Sequence, residues 1–361
     1  MNTKILKVAK YVAIILAFLA LFLALQRLII PKYMSETFDG ALTTEYYAEP
    51  KNHSIIFIGD CGVYQTFSPA ELFREFGFTS YIRGGAAQTI WQSYWLLKDT
   101  LRYETPDIVI LSAEVMEVGE PVSEPYNRLN IDGMRMSGSK IGAIKSSAID
   151  GEYMLSYIFP ILRFNERWHE LSPDDFKYYF KPLNVGLNGY FMRSETVPVT
   201  VIPKGARLED YSLPTVCFEY LDKIRELCAE NNISFILIKS PSIWPYWYDE
   251  WDNQVSEYAE RHSLPYYNLL KLNSETGIDY DTDTANGGNH INVHGAEKLS
   301  RWLGAELSAN YNLIDHRNDL DVTAVWELKL EDYDRLKEIQ LREFEENGKV
   351  LTHTYKKSER R

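Results

Sequence analysis

Five short apolar runs, each followed by a helical pattern, constrain the fold of this chain more than any other feature. The runs are nearly continuous in apolar residues, which is typical of strands buried on both faces of a parallel sheet. Because strands and helical segments alternate, the pattern predicts an α/β fold with helices covering both faces of the sheet. The runs are residues 54–59, 79–83, 107–111, 233–241 and 265–270.

The alternation is interrupted once, between the third and fourth runs. Residues 113–212 contain few clean strand patterns and are expected to form a large helical and loop-rich insertion. The α/β domain is therefore expected to span residues 53–315. Residues 31–52 form a polar juxtamembrane linker. Residues 316–361 form a C-terminal extension, in which we expect a strand and an amphipathic helix, and a disordered tail from His353 onward.

The N-terminus predicts a membrane anchor. No charged residue occurs from Tyr11 through Gln26, and a helix over 11–30 is long enough to cross a bilayer. Three lysines precede it, within residues 1–10, so this short tail is expected to be cytoplasmic and the main domain extracellular. The alternative is a cleaved signal peptide, but no A-x-A-like site follows the apolar run.

Charge and cysteine content exclude some classes of function. The net charge is −13 without a basic stripe, so we expect no nucleic acid partner. The three cysteines, Cys61, Cys217 and Cys228, are an odd number, which argues against a disulfide framework. Cys217 and Cys228 fall on one predicted helix about 16 Å apart, too far to form a disulfide.

The position of Cys61 predicts a nucleophile. It lies just past the end of the first apolar run, and in an open parallel sheet the reactive edge is the carboxyl end of the strands. His290 follows a glycine-rich loop after the fifth strand and is the candidate base. A small buried hydrophobe and a surface-loop histidine are the ordinary alternatives. His294 is better explained as a helix-capping residue, and a zinc site with Cys61 and His290 is a weak alternative.

Three blocks of sequence resemble a known superfamily. "IFIGDC", "RGGAAQT" and "GGNHINVHGAEKLS" look like the first, second and last blocks of the SGNH/GDSL hydrolases, in the same order across residues 50–310. The resemblance implies a flavodoxin-like three-layer α/β/α sandwich. The chain is most similar to membrane-anchored cell-envelope members from Gram-positive bacteria. Some of these work beside membrane-bound O-acyltransferases, among them the D-alanyl transfer protein of teichoic acid modification.

The resemblance also implies roles for individual residues. Cys61 occupies the position of the nucleophilic serine, and His290 that of the general base. Gly84 or Gly85, with Gly85 preferred, supplies an oxyanion N–H. Ser112, at the end of the third strand, takes the place of the third-block asparagine as an oxyanion donor.

This sequence departs from the family pattern at three positions. Cysteine replaces serine, and the third-block asparagine is absent. The residue three before His290 is Gly287 instead of aspartate, with Asn286 beside it and Asp283 further upstream. A thiol is acidic enough to work with histidine and an asparagine that orients it, so we expect Asn286 to complete the catalytic group.

The substrate-binding residues are less clearly indicated. Arg128 and Asp132 lie in the insertion, in a predicted loop that would cover the strand ends, and Gln88 closes the second block. A solvated loop is the ordinary alternative for the first two. Three tryptophans after the fourth strand suit a carbohydrate surface, although a buried aromatic face is as good an explanation.

Together these features predict an extracytoplasmic acyl esterase or O-acyltransferase acting on acylated cell-wall or capsular polysaccharide. No cofactor or metal is expected. The alternative is a catalytically degenerate accessory protein of the same fold, which binds glycan or a membrane-bound O-acyltransferase.

Overall fold

The computed structural model describes residues 3–31, 40–180 and 184–358. Within them lies one sheet of five parallel strands in the order β2-β1-β3-β4-β5. The strands are β1 (Ile55–Gly59), β2 (Ser80–Gly84), β3 (Ile108–Ser112), β4 (Ser234–Lys239) and β5 (Tyr266–Asn268). This is the flavodoxin-like strand order, and it reverses direction between β1 and β3.

Fifteen α-helices are found in the described residues. They are α1 (Thr3–Ile29), α2 (Gly40–Glu45), α3 (Cys61–Tyr64), α4 (Pro69–Phe76), α5 (Ile90–Thr100), α6 (Glu124–Ile131), α7 (Gly138–Ser147), α8 (Leu155–Ile158), α9 (Ile161–Phe164), α10 (Pro173–Phe180), α11 (Thr215–Glu230), α12 (Asp249–Arg261), α13 (Asn273–Thr276), α14 (Val293–Asn310) and α15 (Leu320–Asn347). Short 3₁₀ helices lie at Tyr46–Ala48, Ala113–Met116, Asn165–His169 and His316–Asn318.

The sheet separates two apolar layers, as its side-chain alternation requires. Ile55 and Phe57 of β1 pack with α4, α14 and α15, whereas Ile56 and Ile58 pack with α5, α11 and α12. The α/β/α sandwich expected from the continuous apolar strands is therefore confirmed. Ser68 caps α4 by accepting the N–H of Glu71, with a proline in the first turn, as the sequence indicates.

The insertion carries α6 to α10 and a small apolar cluster of its own. The cluster joins α5 to α6 and α7 through Leu96, Ile131 and Ile144. Its interior is supplemented by buried polar contacts, including the Trp91 indole N–H to Ser147, 3.1 Å. The insertion is thereby packed against the outside of α5, at the β2 side of the sheet.

Two segments are more ordered than their sequences indicate. Residues 40–48 lie in the predicted linker, yet Tyr46 is fully buried and stacks edge-on to Tyr81 of β2. The expected strand in the C-terminal extension is wrong, because residues 320–347 form the single helix α15. The tail beyond it also folds back, as the Tyr355 N–H donates to the Asn184 carbonyl, 3.0 Å. Residues 359–361 lie outside the described residues.

The N-terminal helix is long and apolar enough to cross a membrane. Within Ile5–Ile29, the most apolar stretch of 18 residues has a mean hydropathy of 2.5, and none of that stretch is buried. Helix α1 begins at Thr3, so most of the predicted cytoplasmic tail continues the same helix. Length and composition fit either a membrane anchor or a signal sequence.

Candidate active site

The end of β1 positions Cys61 at the carboxyl edge of the sheet. Asp60 follows the strand and caps α3, its Oδ1 accepting the N–H of Gly62 at 3.0 Å. Cys61 is the first residue of α3 and is half-buried. Neither it nor the buried Cys217 and Cys228 forms a disulfide, as predicted. Because β1 and β3 flank the point where the strand order reverses, Cys61 lies where open α/β sheets bind ligands.

A buried polar network joins the ends of β1, β3 and β4. The Ser112 hydroxyl lies 2.8 Å from Oδ1 of Asp60 and 2.9 Å from Oε2 of Glu114. The other Glu114 oxygen is 2.9 Å from the Lys239 ammonium and 2.5 Å from the Ser240 hydroxyl. A hydroxyl carries one proton, so both contacts of Ser112 are hydrogen bonds only when one of the two carboxyl groups is protonated.

Electrostatics assign that proton to Asp60. Burial and the neighbouring Glu114 carboxylate raise the pKa of Asp60. Burial acts on Glu114 as well, but the Lys239 ammonium and the Ser240 hydroxyl hold its pKa below the usual range. Glu117 directly follows the 3₁₀ helix Ala113–Met116 that carries Glu114, and its pKa is raised to about 8 by burial and by Glu114. The network therefore combines one fixed carboxylate with two proton-holding groups.

A tight loop holds His290. Thr284 and Ile291 form a bridge, and the Ala285 N–H donates to the His290 carbonyl. Gly287 and Gly288 turn the chain between them with φ of 68° and 90°, a conformation that glycine adopts without strain. The loop is fixed to the end of β4, because the Ser242 hydroxyl donates to the Asn289 carbonyl at 2.7 Å.

The Asn286 side chain contacts His290 twice. Its Oδ1 accepts the backbone N–H of His290 at 2.7 Å, and its Nδ2 lies 2.8 Å from Nδ1 of the imidazole. The backbone N–H fixes which end of the amide is oxygen, so the amide nitrogen must face the ring. An amide NH₂ only donates; Nδ1 is therefore the acceptor, and the neutral imidazole carries its proton on Nε2.

This arrangement gives His290 a different resting state from the one predicted. Burial, reinforced by Arg193, lowers the pKa of His290 to about 4, against the opposing effect of Glu114. No hydrogen-bond partner for Nε2 is found in the part of the chain that the structure describes. At neutral pH His290 presents a donor, whereas a general base needs an unprotonated nitrogen there.

The helix that begins at Cys61 packs on Glu114, and the charge of Glu114 acts on His290. A methyl group added at Gly62, the residue after Cys61, would lie 2.0 Å from Oε2 of Glu114, so the α3 backbone packs directly on this carboxylate. The same carboxylate raises the pKa of His290. Cys61 thus follows the end of β1 and the His290 loop is fixed to the end of β4, whereas the predicted contact between the two side chains stays a prediction.

Residues 185–199 tie the two parts of the site together. The Phe191 N–H donates to the Tyr64 carbonyl of α3 at 2.8 Å, and the Arg193 carbonyl accepts the Val293 N–H of α14 at 2.7 Å. This segment, inside the predicted insertion, therefore spans from the Cys61 helix to the helix that follows His290. Sequence analysis assigned it no role.

The two expected oxyanion donors are engaged within the fold. The Gly85 N–H donates to the Gly59 carbonyl at 3.2 Å. The Ser112 hydroxyl lies between two carboxyl groups, as described above. Neither is presented to a ligand in this structure, which corrects the prediction for both residues; Gly84 pairs with Gly59 in the sheet.

The expected substrate-binding residues lie in buried contacts. These residues lie on α6 and its C-cap instead of in the predicted loop: Arg128 pairs with Glu124 at 2.6 Å and with Asp132 at 3.3 Å along the helix, and it donates to the Ser156 hydroxyl of α8. Their predicted role is corrected accordingly. Gln88 is also buried and donates to the Arg83 carbonyl and the Ser93 hydroxyl.

Gln88 retains one feature of a binding residue. Its Oε1 is buried and has no hydrogen-bond partner among the residues that the structure describes, and it lies 3.8 Å from the position that a Gly85 side chain would take. The Asn130 carboxamide also packs on Gly85 and donates to the Ala86 carbonyl at 3.1 Å. Asn130 was missed because its helix lies in the insertion, outside the three sequence blocks.

Of the three tryptophans after β4, Trp247 is buried and donates to Asp252, whereas Trp244 is exposed. Among the described residues, no three histidine, cysteine or acidic side chains are grouped closely enough to hold a metal ion.

Comparisons with known proteins give distant structural similarity. No family model and no curated protein matches the chain. A protein described as an acylhydrolase from Bacteroides fragilis is 13% identical with a TM-score of 0.34, over 74% of this chain and 94% of that one. A lipolytic protein of the G-D-S-L family from Desulfitobacterium hafniense has the same identity and score, over 70% and 99%. A GDSL-like lipase from Bacteroides thetaiotaomicron is 12% identical with a TM-score of 0.35, over 75% and 97%.

Proposed function

We propose that this protein is a membrane-anchored, extracytoplasmic acyl-ester enzyme that uses Cys61 as its nucleophile. One observation carries the proposal: a half-buried cysteine lies at the point where the strand order of the sheet reverses, its helix packs on Glu114, and that carboxylate acts electrostatically on a neutral histidine. Thiols and imidazoles at such a site are suited to acyl transfer.

The tautomer of His290 defines its part in the reaction. With its proton on Nε2, the imidazole donates a hydrogen bond to the carbonyl oxygen of the ester and stabilises the negative charge that develops there. A neutral imidazole remains a good donor across physiological pH because its pKa is depressed to about 4. This role replaces the oxyanion donors that Gly85 and Ser112 do not supply.

In its ionised form, which a pKa of about 7 keeps populated near neutral pH, Asp60 then takes the thiol proton. It is adjacent to Cys61 in sequence, its pKa is raised, and its Oδ2 makes no hydrogen bond within the described residues. The thiolate attacks the carbonyl carbon, a C–S bond forms, and the ester C–O bond breaks. The leaving oxygen receives the proton from Asp60. Water or an acceptor hydroxyl then attacks the thioester, which releases the acyl group and restores the thiol.

The cellular setting follows from the N-terminal helix. With lysines before the span, α1 would leave the domain outside the cell, where acylated cell-wall or capsular polysaccharide is the substrate class at hand. A membrane-bound O-acyltransferase is the expected partner, in line with the resemblance of the sequence blocks to cell-envelope SGNH proteins.

Ester turnover by the full-length protein in lipid nanodiscs tests the enzymatic proposal. We expect hydrolysis of p-nitrophenyl acetate by the wild type and loss of the enzyme-dependent rate in Cys61→Ala. Cys228→Ser removes a thiol at the end of α11 that lies beside the start of β4, on the opposite edge of the sheet, and should retain the rate. Equal rates for wild type and Cys61→Ala would contradict the proposal.

A second candidate function is favoured by the same engaged donors. If the Gly85 N–H and the Ser112 hydroxyl stay within the fold, the site binds acylated glycan, or a partner, without turnover. Iodoacetamide distinguishes the two. A reactive Cys61 alkylates in the folded protein at neutral pH, whereas buried Cys217 and Cys228 do so after unfolding. Labelling of all three only after unfolding would favour the accessory function.

A further inference from the structure

The second half of the insertion exposes an unusual number of large apolar side chains. Residues 153–180, here called the apolar segment, contain α8, α9 and α10. Exposed fractions reach 60% for Trp168 and 81% for Phe180. The others include Tyr153, Leu155, Phe159, Leu162 and Phe176. Soluble proteins expose such residues singly, and a contiguous set marks a surface that is covered in the functional state.

This segment lies beside the N-terminal helix. The rings of Phe22 in α1 and Phe159 have centroids 6.3 Å apart, in an edge-to-face arrangement. At the end of α1, Arg27 donates to the Tyr179 carbonyl at 2.8 Å, and Arg167 donates to the Ile29 carbonyl at 2.5 Å. Three separate parts of the apolar segment therefore hold the outer end of the helix.

The contact between Phe22 and Phe159 shows how far below the outer end of α1 the apolar segment reaches. Phe22 precedes the end of α1 at Ile29 by seven residues, which is about 10 Å along a helix axis. If α1 spans the bilayer, Phe159 lies alongside it at that depth below the helix end. Interfacial helices bury their apolar faces by about 5–10 Å, so Phe159 would reach the acyl chains.

We propose that the apolar segment is embedded in the outer leaflet beside α1, and that the lipid acyl chains are what cover it. This inference rests on the anchoring of α1 given under the proposed function. Lipid is the occupant because it already surrounds the helix that the segment contacts. Arg163 and Lys177 can reach lipid phosphates, and Trp168 is a residue type that is enriched at the membrane interface. The apolar segment can be embedded no deeper than the interface, because charged side chains are costly to bury among acyl chains. Its exposed acidic residues are Glu166, Glu170 and Asp174.

Embedding of this segment brings the candidate active site close to the membrane surface. Arg163 of α9 is bonded to Glu124 of α6 at 2.7 Å, and Glu124 also holds Arg128. At the other end of α6, Asn130 packs on Gly85. One helix therefore separates the embedded segment from the site, which would act on acyl groups or acceptors held at the outer face of the membrane.

Site-specific photo-crosslinking tests the placement. Full-length protein would carry p-benzoylphenylalanine in place of Phe159 or Leu162, in vesicles of phosphatidylcholine and phosphatidylglycerol, with adducts identified by mass spectrometry. Replacement of Phe18 in α1 reports anchoring. Leu320, which is 86% exposed on the far helix α15, is the matched control outside the proposed membrane surface. Lipid adducts at 159 and 162 should exceed those at 320 by at least about tenfold.

Each alternative outcome overturns the inference. Lipid adducts at position 18 but not at 159 or 162 would show an anchored protein whose apolar segment lies outside the bilayer. Adducts from 159 or 162 to another protein in native membranes, in place of lipid, would identify a protein partner as the occupant. Absence of adducts at 18 would refute the anchor as well, while ester turnover by Cys61, which is measured separately, would be unaffected.

Discussion

The side-chain amide of Asn286 faces Nδ1 of His290 with its nitrogen, 2.8 Å away, because its oxygen is held by the His290 backbone N–H. This one contact sets the proton on Nε2 and opposes protonation of the ring, since an imidazolium N–H at Nδ1 would face another N–H donor. A carboxylate at residue 286 would instead place the proton on Nδ1 and favour protonation of the ring.

Asn286→Asp should therefore convert His290 from a donor into a base. The carboxylate accepts a proton from Nδ1, frees Nε2 and raises the pKa of His290. We expect alkylation of Cys61 at pH 7 to rise by about 10-fold, because the freed Nε2 can take the thiol proton. Ester turnover should instead fall by about 10²- to 10³-fold, because the ester oxygen loses its donor at Nε2. Asn289→Asp is the control, because it adds the same charge to the loop away from Nδ1. Nitrogen NMR of the ring reports the tautomer directly, and an unchanged Nε2 proton in Asn286→Asp would refute the assignment.

The depressed pKa of His290 predicts a stability that falls with acidity. The pKa is about 4 in the folded state and ordinarily 6.5, so between these values the unfolded state binds the proton more tightly. Stability contributed by the neutral ring is present above pH 6.5 and is lost as the pH falls towards 4, by at most about 3 kcal/mol. Urea unfolding of His290→Asn should show a shallower pH dependence than the wild type in this window. If the unfolding free energies of the two proteins change with pH in parallel, the predicted contribution of His290 is contradicted.

The strands and the edge that they form could be predicted from the sequence because the information is local. Continuous apolar runs define β1, β3 and β4, and only Asp60 separates Cys61 from the first of them. The buried network could not be predicted in this way. Glu114 and Lys239 are 125 residues apart, and no local periodicity indicates that two strand ends will bring them together. Asp60 is part of the block IFIGDC, but its raised pKa depends on the neighbouring Glu114.

Tyr46 and Tyr355 illustrate a second limit. Both lie in polar stretches that resemble linkers, and each becomes ordered through contacts with distant segments. Tyr46 packs on β2, and the Tyr355 hydroxyl donates to the Gly186 carbonyl at 3.2 Å. Polar composition indicates that a segment cannot form a core alone. It does not exclude that the segment packs against a core formed by other residues.

The buried pair of Glu114 and Lys239 should be strongly coupled. Lys239→Met leaves a buried carboxylate without its cation and should cost about 3–5 kcal/mol of unfolding free energy. Glu114→Gln has a similar effect for the ammonium, but the double variant should cost clearly less than the sum of the two. A double-mutant cycle in urea measures the difference.

The exposed pair of Arg342 and Glu338 on α15 supplies the comparison for that cycle. Its removal should cost no more than about 0.5 kcal/mol, because solvent screens the interaction. Additive losses at Glu114 and Lys239 would show that their contact does not hold the strand ends together.

Gly59 determines how closely β1 approaches β3 at the active edge. Its φ is 137°, and a methyl group added there would lie 2.6 Å from Cβ of Ser112. Gly59→Ala should therefore cost about 2–4 kcal/mol, through backbone strain and overpacking. Gly277→Ala also has a positive φ, but no atom lies within 4 Å of its added methyl group, and it should cost about 1–2 kcal/mol. Thermal and urea unfolding of both variants measures the difference; equal costs would mean that the strand ends can separate without loss.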